Sequence, residues 1–523
     1  MRYRYHEEHK HCFEILKPED VTTANVMGLQ KIQYGIWCTD DHVLALNLFD
    51  KLDDEGQVRI LHHTKAAAQA MTASSATSCV FKCKETKGMN RFPYQHAGVR
   101  ELLLRGNTLL ADPIGLGKTA QAIGLIDEVH AAQVLIVCLA SLKGNWANEL
   151  DLWLESDLSY GIATGKEWPD TDIVIINYDI LKKHRVKLQA TRWSVIIVDE
   201  CHYCKNPQAQ RTKEVVALSG QYKVAMSGTP VVNKPADLHC ILKWLDPKRW
   251  RNRTQYLNRY CNPRMIKVNG RNIWLYDGCT KGDELQKRLR STVMVRRRKD
   301  LVLSQLPPKQ RQIIDLDVSY PNLTKVRKWL CNLFGGESRL LSDDEFRAIV
   351  SSSAGGIDEL PFGSISEIRR EAGEAKVPAV IEHLRDAIDS SGKVVCFAHH
   401  RSVIDRIYEA FSEEAVKLTG DTPVNRRQEA VAKFQIDPDI SLFIGNIQAA
   451  GVGITLTSAS HVVFAEASWV SGELIQAEDR CHRIGQNNNV LIQYLVVKDS
   501  IDSNVLRTVV YKQNNIDTVM EGE

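Results

Sequence analysis

Short apolar, β-branched runs alternate with amphipathic stretches along most of this chain, and that alternation constrains its fold more than any other feature. VLIVCL (134–139), IVII (173–176), SVIIVD (194–199) and KVAM (223–226) form one series. KVVCFA (393–398), SLFIG (441–445), HVVFA (461–465) and VLIQYLV (490–496) form a second. Unbroken apolar runs of this length suit strands buried on both faces, and helical spacers between them predict βαβ units with parallel sheets. An α/β protein with two lobes is therefore expected, with no evident sequence repeat between them.

The remaining segments set the expected domain boundaries. Residues 1–85 read as a small N-terminal α+β accessory module, with QYGIWCTD (33–40) as a strand, DHVLALNLFDKL (41–52) as a helix and TASSATS (72–78) as a linker. Residues 86–234 form the first lobe and 376–523 the second. Between them, 235–375 lacks the alternation and reads as helical protrusions with an inter-lobe linker. It includes the polar loop SSSAGGIDELPFGS (351–364).

Charge is distributed unevenly. The 67 Lys+Arg and 64 Asp+Glu leave a net of only +3, which excludes a polycation. Yet residues 1–60 carry a net of −4 and residues 285–311 a net of +8. A nucleic-acid partner is compatible with such segregation, and the basic cluster is a candidate phosphate-binding surface. The longest apolar run, VLIVCLA (134–140), is far below the ~20 residues of a membrane span, and the N-terminus has no apolar signal core. Thirteen scattered cysteines, an odd number, fit free thiols in a reducing compartment. The expectation is a soluble intracellular protein, cytoplasmic if its source is a prokaryote or a phage.

Three motifs carry chemistry. In LLADPIGLGKTAQAIGLI (109–126) a strand-like run leads through Gly115-Leu116-Gly117-Lys118-Thr119 into a helix. Glycines let backbone N–H groups approach phosphates, the helix N-terminus adds positive potential, Lys118 reaches the β/γ-phosphates and Thr119 ligates Mg²⁺. Asp112 stands where the general pattern has its first glycine. RWSVIIVDECHYCKN (192–206) places Asp199 and Glu200 at the end of a strand, where α/β sheets hold ligands. There Asp199 is suited to Mg²⁺ and Glu200 to orienting the attacking water. In LIQAEDRCHRIGQ (474–486), Arg480 and Arg483 are spaced to share one helix face and meet charge developing on a phosphate. Each motif has a bland reading (a glycine turn, a helix cap, a solvated face), but together they favour nucleotide hydrolysis.

ADPIGLGKT, DECH, SGTP (227–230), GVGITLTSAS (451–460) and QAEDRCHRIGQ occur in the order found in superfamily-two helicases. DECH with SGTP and RCHRIGQ resembles the Swi/Snf-type DNA-dependent ATPases. VRRRKDLVLSQLPPKQRQ (295–312), EAGEAKVPAVIEHL (371–384) and VVCFAHHRSVID (394–405) are similar to the annealing-helicase (HARP-type) subgroup. The resemblance covers about residues 88–512. It implies two tandem RecA-like lobes, ATP and Mg²⁺ as cofactors, and translocation on double-stranded or forked DNA. It also implies Gln95 of FPYQ (92–95) as the adenine reader, Ser227 and Thr229 as coupling residues, and Arg480 and Arg483 as arginine fingers. Ser141 and Lys143 of LASLKGNW (139–146) are implied as DNA-backbone contacts. Two departures are noted: Pro113 replaces an acidic residue, and Trp469-Val470-Ser471 replaces Trp-Asn-Pro.

The expected function is therefore an ATP-dependent double-stranded DNA translocase that remodels forks, anneals strands or displaces bound proteins, acting as a monomer. The alternatives are a strand-separating helicase and a catalytically idle DNA-binding regulator. A nucleosome remodeller fits less well, because little chain follows the last motif. Residues 1–85 are a possible docking site for a protein partner. HEEHKHC (6–12), and Cys79 and Cys83 with His62 and His63, are weak zinc candidates, while Cys201 and Cys204 read as part of the hydrolysis motif.

Overall fold

The computed structural model describes residues 2–6, 10–14, 30–33, 36–39, 65–85, 90–231, 234–268, 271–276, 278–303, 305–320, 365–450, 453–468, 470–498 and 500, with 502, 506 and 520. Near the N-terminus, β1 (Arg2–His6), β2 (Lys10–Glu14), β3 (Gln30–Gln33) and β4 (Ile36–Thr39) form an antiparallel sheet ordered β1-β2-β4-β3. HEEHKHC straddles its first hairpin, with His6 opposite Lys10. The helix expected at 41–52, and His62 and His63, lie outside the described residues.

TASSATS is not a free linker. A helix over 65–74 runs into it, and the segment is tied to the first lobe. Ser74 is buried with its hydroxyl on the Met294 carbonyl at 2.9 Å, and the Ala76 carbonyl accepts from Arg297 Nε at 2.8 Å. Small polar residues fit here because they let the chain pass close to another backbone while each polar group finds a partner.

The first lobe is a seven-stranded parallel sheet. Its strands are β5 (Asn107–Leu110), β6 (Val134–Cys138), β7 (Tyr160–Ile162), β8 (Ile173–Asn177), β9 (Trp193–Val198), β10 (Gly220–Met226) and β13 (Met294–Val295). Their order is β13-β5-β10-β9-β6-β8-β7. β6 and β8 are buried at every position, as strands covered on both faces must be. Separate apolar cores pack on the two faces.

The second lobe is a six-stranded parallel sheet of β14 (Lys309–Leu316), β15 (Val394–Ala398), β16 (Ala415–Leu418), β17 (Leu442–Asn446), β18 (His461–Phe464) and β19 (Val490–Val497). Their order is β14-β19-β18-β15-β17-β16. It too is sandwiched between two cores.

The region between the lobes differs from the helical reading. It contains an antiparallel hairpin, β11 (Arg264–Val268) with β12 (Arg271–Leu275), and it supplies an edge strand to each lobe. β13 pairs with β5, and β14 pairs with β19 over eight residues. The loop 351–364 lies outside the described residues.

The basic cluster is also corrected, since most of its charge is spent inside the protein. Arg288 lies over the Trp250 ring, Arg290 and Arg296 donate to backbone carbonyls, and Arg297 pairs with Asp112. Lys299, Lys309 and Arg311 pair with Asp479 or Glu478. A Lys or Arg run beside a sheet edge serves equally well as a set of internal clamps, and sequence cannot separate that from a phosphate track. Among the described residues, no helix is long and apolar enough to cross a membrane.

Candidate active site

The strand order assembles the site. β10 lies between β5 and β9, so three loops separated along the chain leave neighbouring strand ends together. They are the glycine loop after β5, Asp199-Glu200 after β9, and Ser227 after β10.

The glycine loop carries Gly115 at φ +87° and Gly117 at φ +67°, conformations that side chains resist. A Cβ on Gly117 would sit 2.2 Å from Gln95 Nε2, and one on Gly115 would sit 3.0 Å from Arg483 Cβ. Gln95 is buried in the first turn of the helix Pro93–Arg105. Its amide accepts from the Phe92 N–H at 2.9 Å and donates to the Leu116 carbonyl at 3.2 Å, so it braces the loop. The helix Lys118–Glu128 starts at Gly117 without a side-chain cap, which leaves its first N–H groups for another acceptor. Lys118 Nζ donates to the carbonyls of Asp112 at 2.8 Å and Pro113 at 3.3 Å. Burial lowers the pKa of its ammonium against the pull of Glu200. Thr119 follows it, half-buried, in the same turn.

Asp112 has a structural task. Its fully buried carboxylate accepts from Arg297 Nη1 at 2.8 Å, from the Arg297 N–H at 2.9 Å and from Gln121 Nε2 at 3.0 Å. A glycine at that place would make none of these bonds.

Asp199 accepts from Trp146 Nε1 at 3.0 Å and from the Glu200 N–H at 2.9 Å. Glu200 sits at φ +49°, a strained conformation for a residue with a side chain. Burial and the Glu200 charge push the Asp199 carboxyl up, while His202 and Lys118 hold Glu200 down in spite of burial. His202 Nδ1 lies 3.3 Å from Glu200 Oε2 and 3.0 Å from the Ser227 hydroxyl. That hydroxyl donates to Glu200 at 3.3 Å and accepts from the Thr229 N–H at 3.1 Å. Thr229 Oγ1 in turn accepts from Gln476 Nε2 of the second lobe at 3.0 Å. A hydrogen-bonded path therefore runs from the carboxylate across the cleft.

The arginines are not on a helix face. The helix Ser471–Glu478 ends before them, and both lie in the loop leading to β19. They still converge: Arg480 Nη1 and Arg483 Nη1 donate to the same Ile454 carbonyl, at 3.3 and 3.1 Å. Burial lowers the Arg480 pKa to about 10, with Arg483 adding to the effect and Glu200 opposing it.

Ser141 lies half-buried in the short turn Ala140–Leu142, after β6. Lys143 starts the next helix and donates to the Ala163 carbonyl at 3.1 Å. Trp146, Gln476, His202, Arg297 and Lys299 belong to the quoted motifs, but only folding reveals their roles. Cys201 and Cys204 are packed in the core, and burial pushes the Cys204 thiol up to about 12. Burial likewise pushes the Cys83 thiol up to about 12.

A glycine loop and an acidic strand end in one α/β lobe, faced by two converging arginines from another, define a two-lobed nucleotide-binding protein of the helicase kind. Residues 94–326 match the SNF2-related domain and residues 375–485 the helicase conserved C-terminal domain. The chain thus carries a stretch similar to the SNF2-related domain followed by one similar to the helicase conserved C-terminal domain. It is 32% identical over 429 residues to the DNA annealing helicase and endonuclease ZRANB3 of Mus musculus, covering 79% of this chain and 39% of that protein. It is 34% identical over 429 residues to the Caenorhabditis elegans homolog of SWI/SNF-related matrix-associated actin-dependent regulator of chromatin subfamily A-like protein 1, covering 79% and 59%. The chain thus spans less than two thirds of the length of these relatives. The SWI2/SNF2 ATPase core of Sulfolobus solfataricus, solved with dsDNA, is 24% identical over 85% of this chain and 99% of that one, with a TM-score of 0.41.

Proposed function

We propose that this chain is a DNA-dependent ATPase that translocates on double-stranded DNA and remodels forked or partly unpaired structures. The observation that carries the reading is the hydrogen-bonded path Glu200–His202–Ser227–Thr229–Gln476, because it joins the hydrolytic carboxylate to the opposite lobe. A change at Glu200 would then be felt across the cleft, and opening and closing of the cleft become steps along DNA.

The residues fit the nucleotide and its metal. The uncapped helix N-terminus follows positive-φ glycines too closely packed for a Cβ, a backbone cradle suited to phosphate, and Lys118 supplies a cation beside it. The hard oxygen donors Thr119 and Asp199 suit Mg²⁺, which when bound supplies charge neutralisation at phosphate oxygens. Glu200, kept ionised by His202, orients water. Arg480 and Arg483 offer charge where negative charge grows. Gln95 holds the glycine loop and is the proposed reader of the base edge. Ser141 and Lys143 are the proposed DNA-backbone contacts, since Lys143 retains donors beyond its bond to Ala163. Residues 1–85 are the proposed docking module for a protein partner, and the working unit is a monomer.

The test is ATP turnover with and without duplex DNA, alongside displacement of a triplex-forming strand. Duplex-stimulated turnover with triplex displacement is expected, and Lys118→Ala and Glu200→Gln should abolish both. DNA-insensitive turnover would refute the translocase. Separation of a labelled duplex would favour the helicase alternative.

A further inference from the structure

The stretch Arg296–Lys299 supplies none of the proposed nucleotide, metal or water contacts, yet it touches both halves of the site. Arg297 is locked into the first lobe by Asp112, three residues before Gly115. Two residues on, Lys299 Nζ donates to the His482 carbonyl of the second lobe and lies 3.5 Å from Asp479 Oδ2. Asp479 and His482 are the residues immediately before Arg480 and Arg483. The same Nζ would lie 3.9 Å from a Cβ on Gly115, the point that Arg483 Cβ also approaches. One ammonium thus meets the glycine loop and the arginine loop together.

We propose that Lys299 is a positioning residue that holds the loop bearing Arg480 and Arg483 against the glycine loop when the lobes are closed. The proposal rests on the finger reading of the two arginines. The short chain between Arg297 and Lys299 makes the hold stiff, since two residues span at most about 7 Å. Lys309 also reaches Asp479, at 3.1 Å, but it belongs to β14 in the second lobe's own sheet and moves with that lobe. Lys299 is anchored on the first-lobe side and crosses. Its side chain is only 13% exposed and that of Asp479 only 7%, so bulk water screens the pair weakly.

The grip is pH-sensitive. The charged or titratable groups facing Lys299 are Asp479, His482 and Arg483 of the arginine loop and Lys309 of β14. Burial lowers the Lys299 ammonium to about 8, with Asp479 pulling it upward and Lys309 and Arg483 pushing it further down. As the pH rises through about 8 the ammonium loses its proton and its charge pairing with Asp479.

The experiment measures ATP turnover of the full chain at saturating duplex DNA, from pH 6.5 to 9.5. Lys299→Met should lower kcat on the order of tenfold, while the KM for ATP, the DNA affinity and Tm stay within about twofold or a few degrees. Lys299→Arg, which cannot deprotonate in this range, should restore most of kcat and remove the fall near pH 8. Wild-type kcat in Lys299→Met, or an unchanged pH profile in Lys299→Arg, overturns the positioning role. Arg480→Ala runs alongside: full turnover in it refutes the finger reading itself, whereas its loss with normal Lys299→Met refutes only the positioning role.

Discussion

Arg297→Met removes a guanidinium that is wholly enclosed and leaves its partner Asp112 enclosed as well, each side chain being 0% exposed. Breaking one side of a buried pair costs about 3–5 kcal/mol, because the remaining charge is left uncompensated. The Ala76 bond, worth about 1 kcal/mol, is lost as well. Two donors to Asp112 survive, the Arg297 N–H and Gln121 Nε2, which places the expected loss near the lower end, about 3 kcal/mol. For a lobe of this size that corresponds to a Tm lower by about 6–12 °C. Asp112→Asn alone should also destabilise, by stranding the guanidinium. The double variant should recover at least half of the loss, since a neutral amide still accepts from the Arg297 N–H. Thermal and urea unfolding of the four proteins closes the cycle, with a coupling of about 2 kcal/mol expected. A loss below about 1 kcal/mol in Arg297→Met, or no coupling, would refute the claim that this pair fixes the base of the glycine loop.

Gly117→Ala places a Cβ against Gln95 Nε2 at φ +67°, so nucleotide binding should weaken at least about tenfold in a fluorescent-ATP titration. Unchanged affinity would show that the loop relaxes. Thr229→Val removes the acceptor for Gln476, and DNA stimulation of turnover should fall about five- to tenfold with ATP affinity retained. Retention of full stimulation would show that the path through Thr229 is idle. Burial alone would raise the Glu478 carboxyl, yet Lys309 and Arg311 hold it near 2, below its ordinary 4.5. A depressed carboxylate stabilises the fold above about 4.5 and loses that contribution as the pH falls toward about 2. The Tm of Glu478→Gln should therefore lie below wild type at neutral pH and converge with it in acid; parallel curves would contradict this.

Every parallel strand that the apolar runs predict is present, because a run buried on both faces has few other ways to satisfy its backbone. The edge strands β13 and β14 were not legible. Met294–Val295 is too short to show a period, and Lys309–Leu316 is an edge strand whose side chains are largely exposed, so it carries no buried apolar run. Arg480 and Arg483 do converge, but not on the support that their spacing suggested. Their i, i+3 spacing suggested a shared helix face, whereas a loop past the helix end brings them together on the Ile454 carbonyl.

The sequence by itself determined the α/β class, the two lobes and the chemical inventory, since strand periodicity and the glycine-lysine-threonine pattern are local properties. Tertiary structure alone decided which charges act and which are clamps. Strand order puts β10 between β5 and β9 and so gathers the glycine loop, Asp199-Glu200 and Ser227. Lobe closure turns Gln476 and Lys299 into cross-cleft contacts, and packing within each lobe spends much of the +8 of residues 285–311 on internal carboxylates and carbonyls. A cation's role depends on what surrounds it within a few ångströms, and those neighbours lie as far as 230 residues away in the sequence.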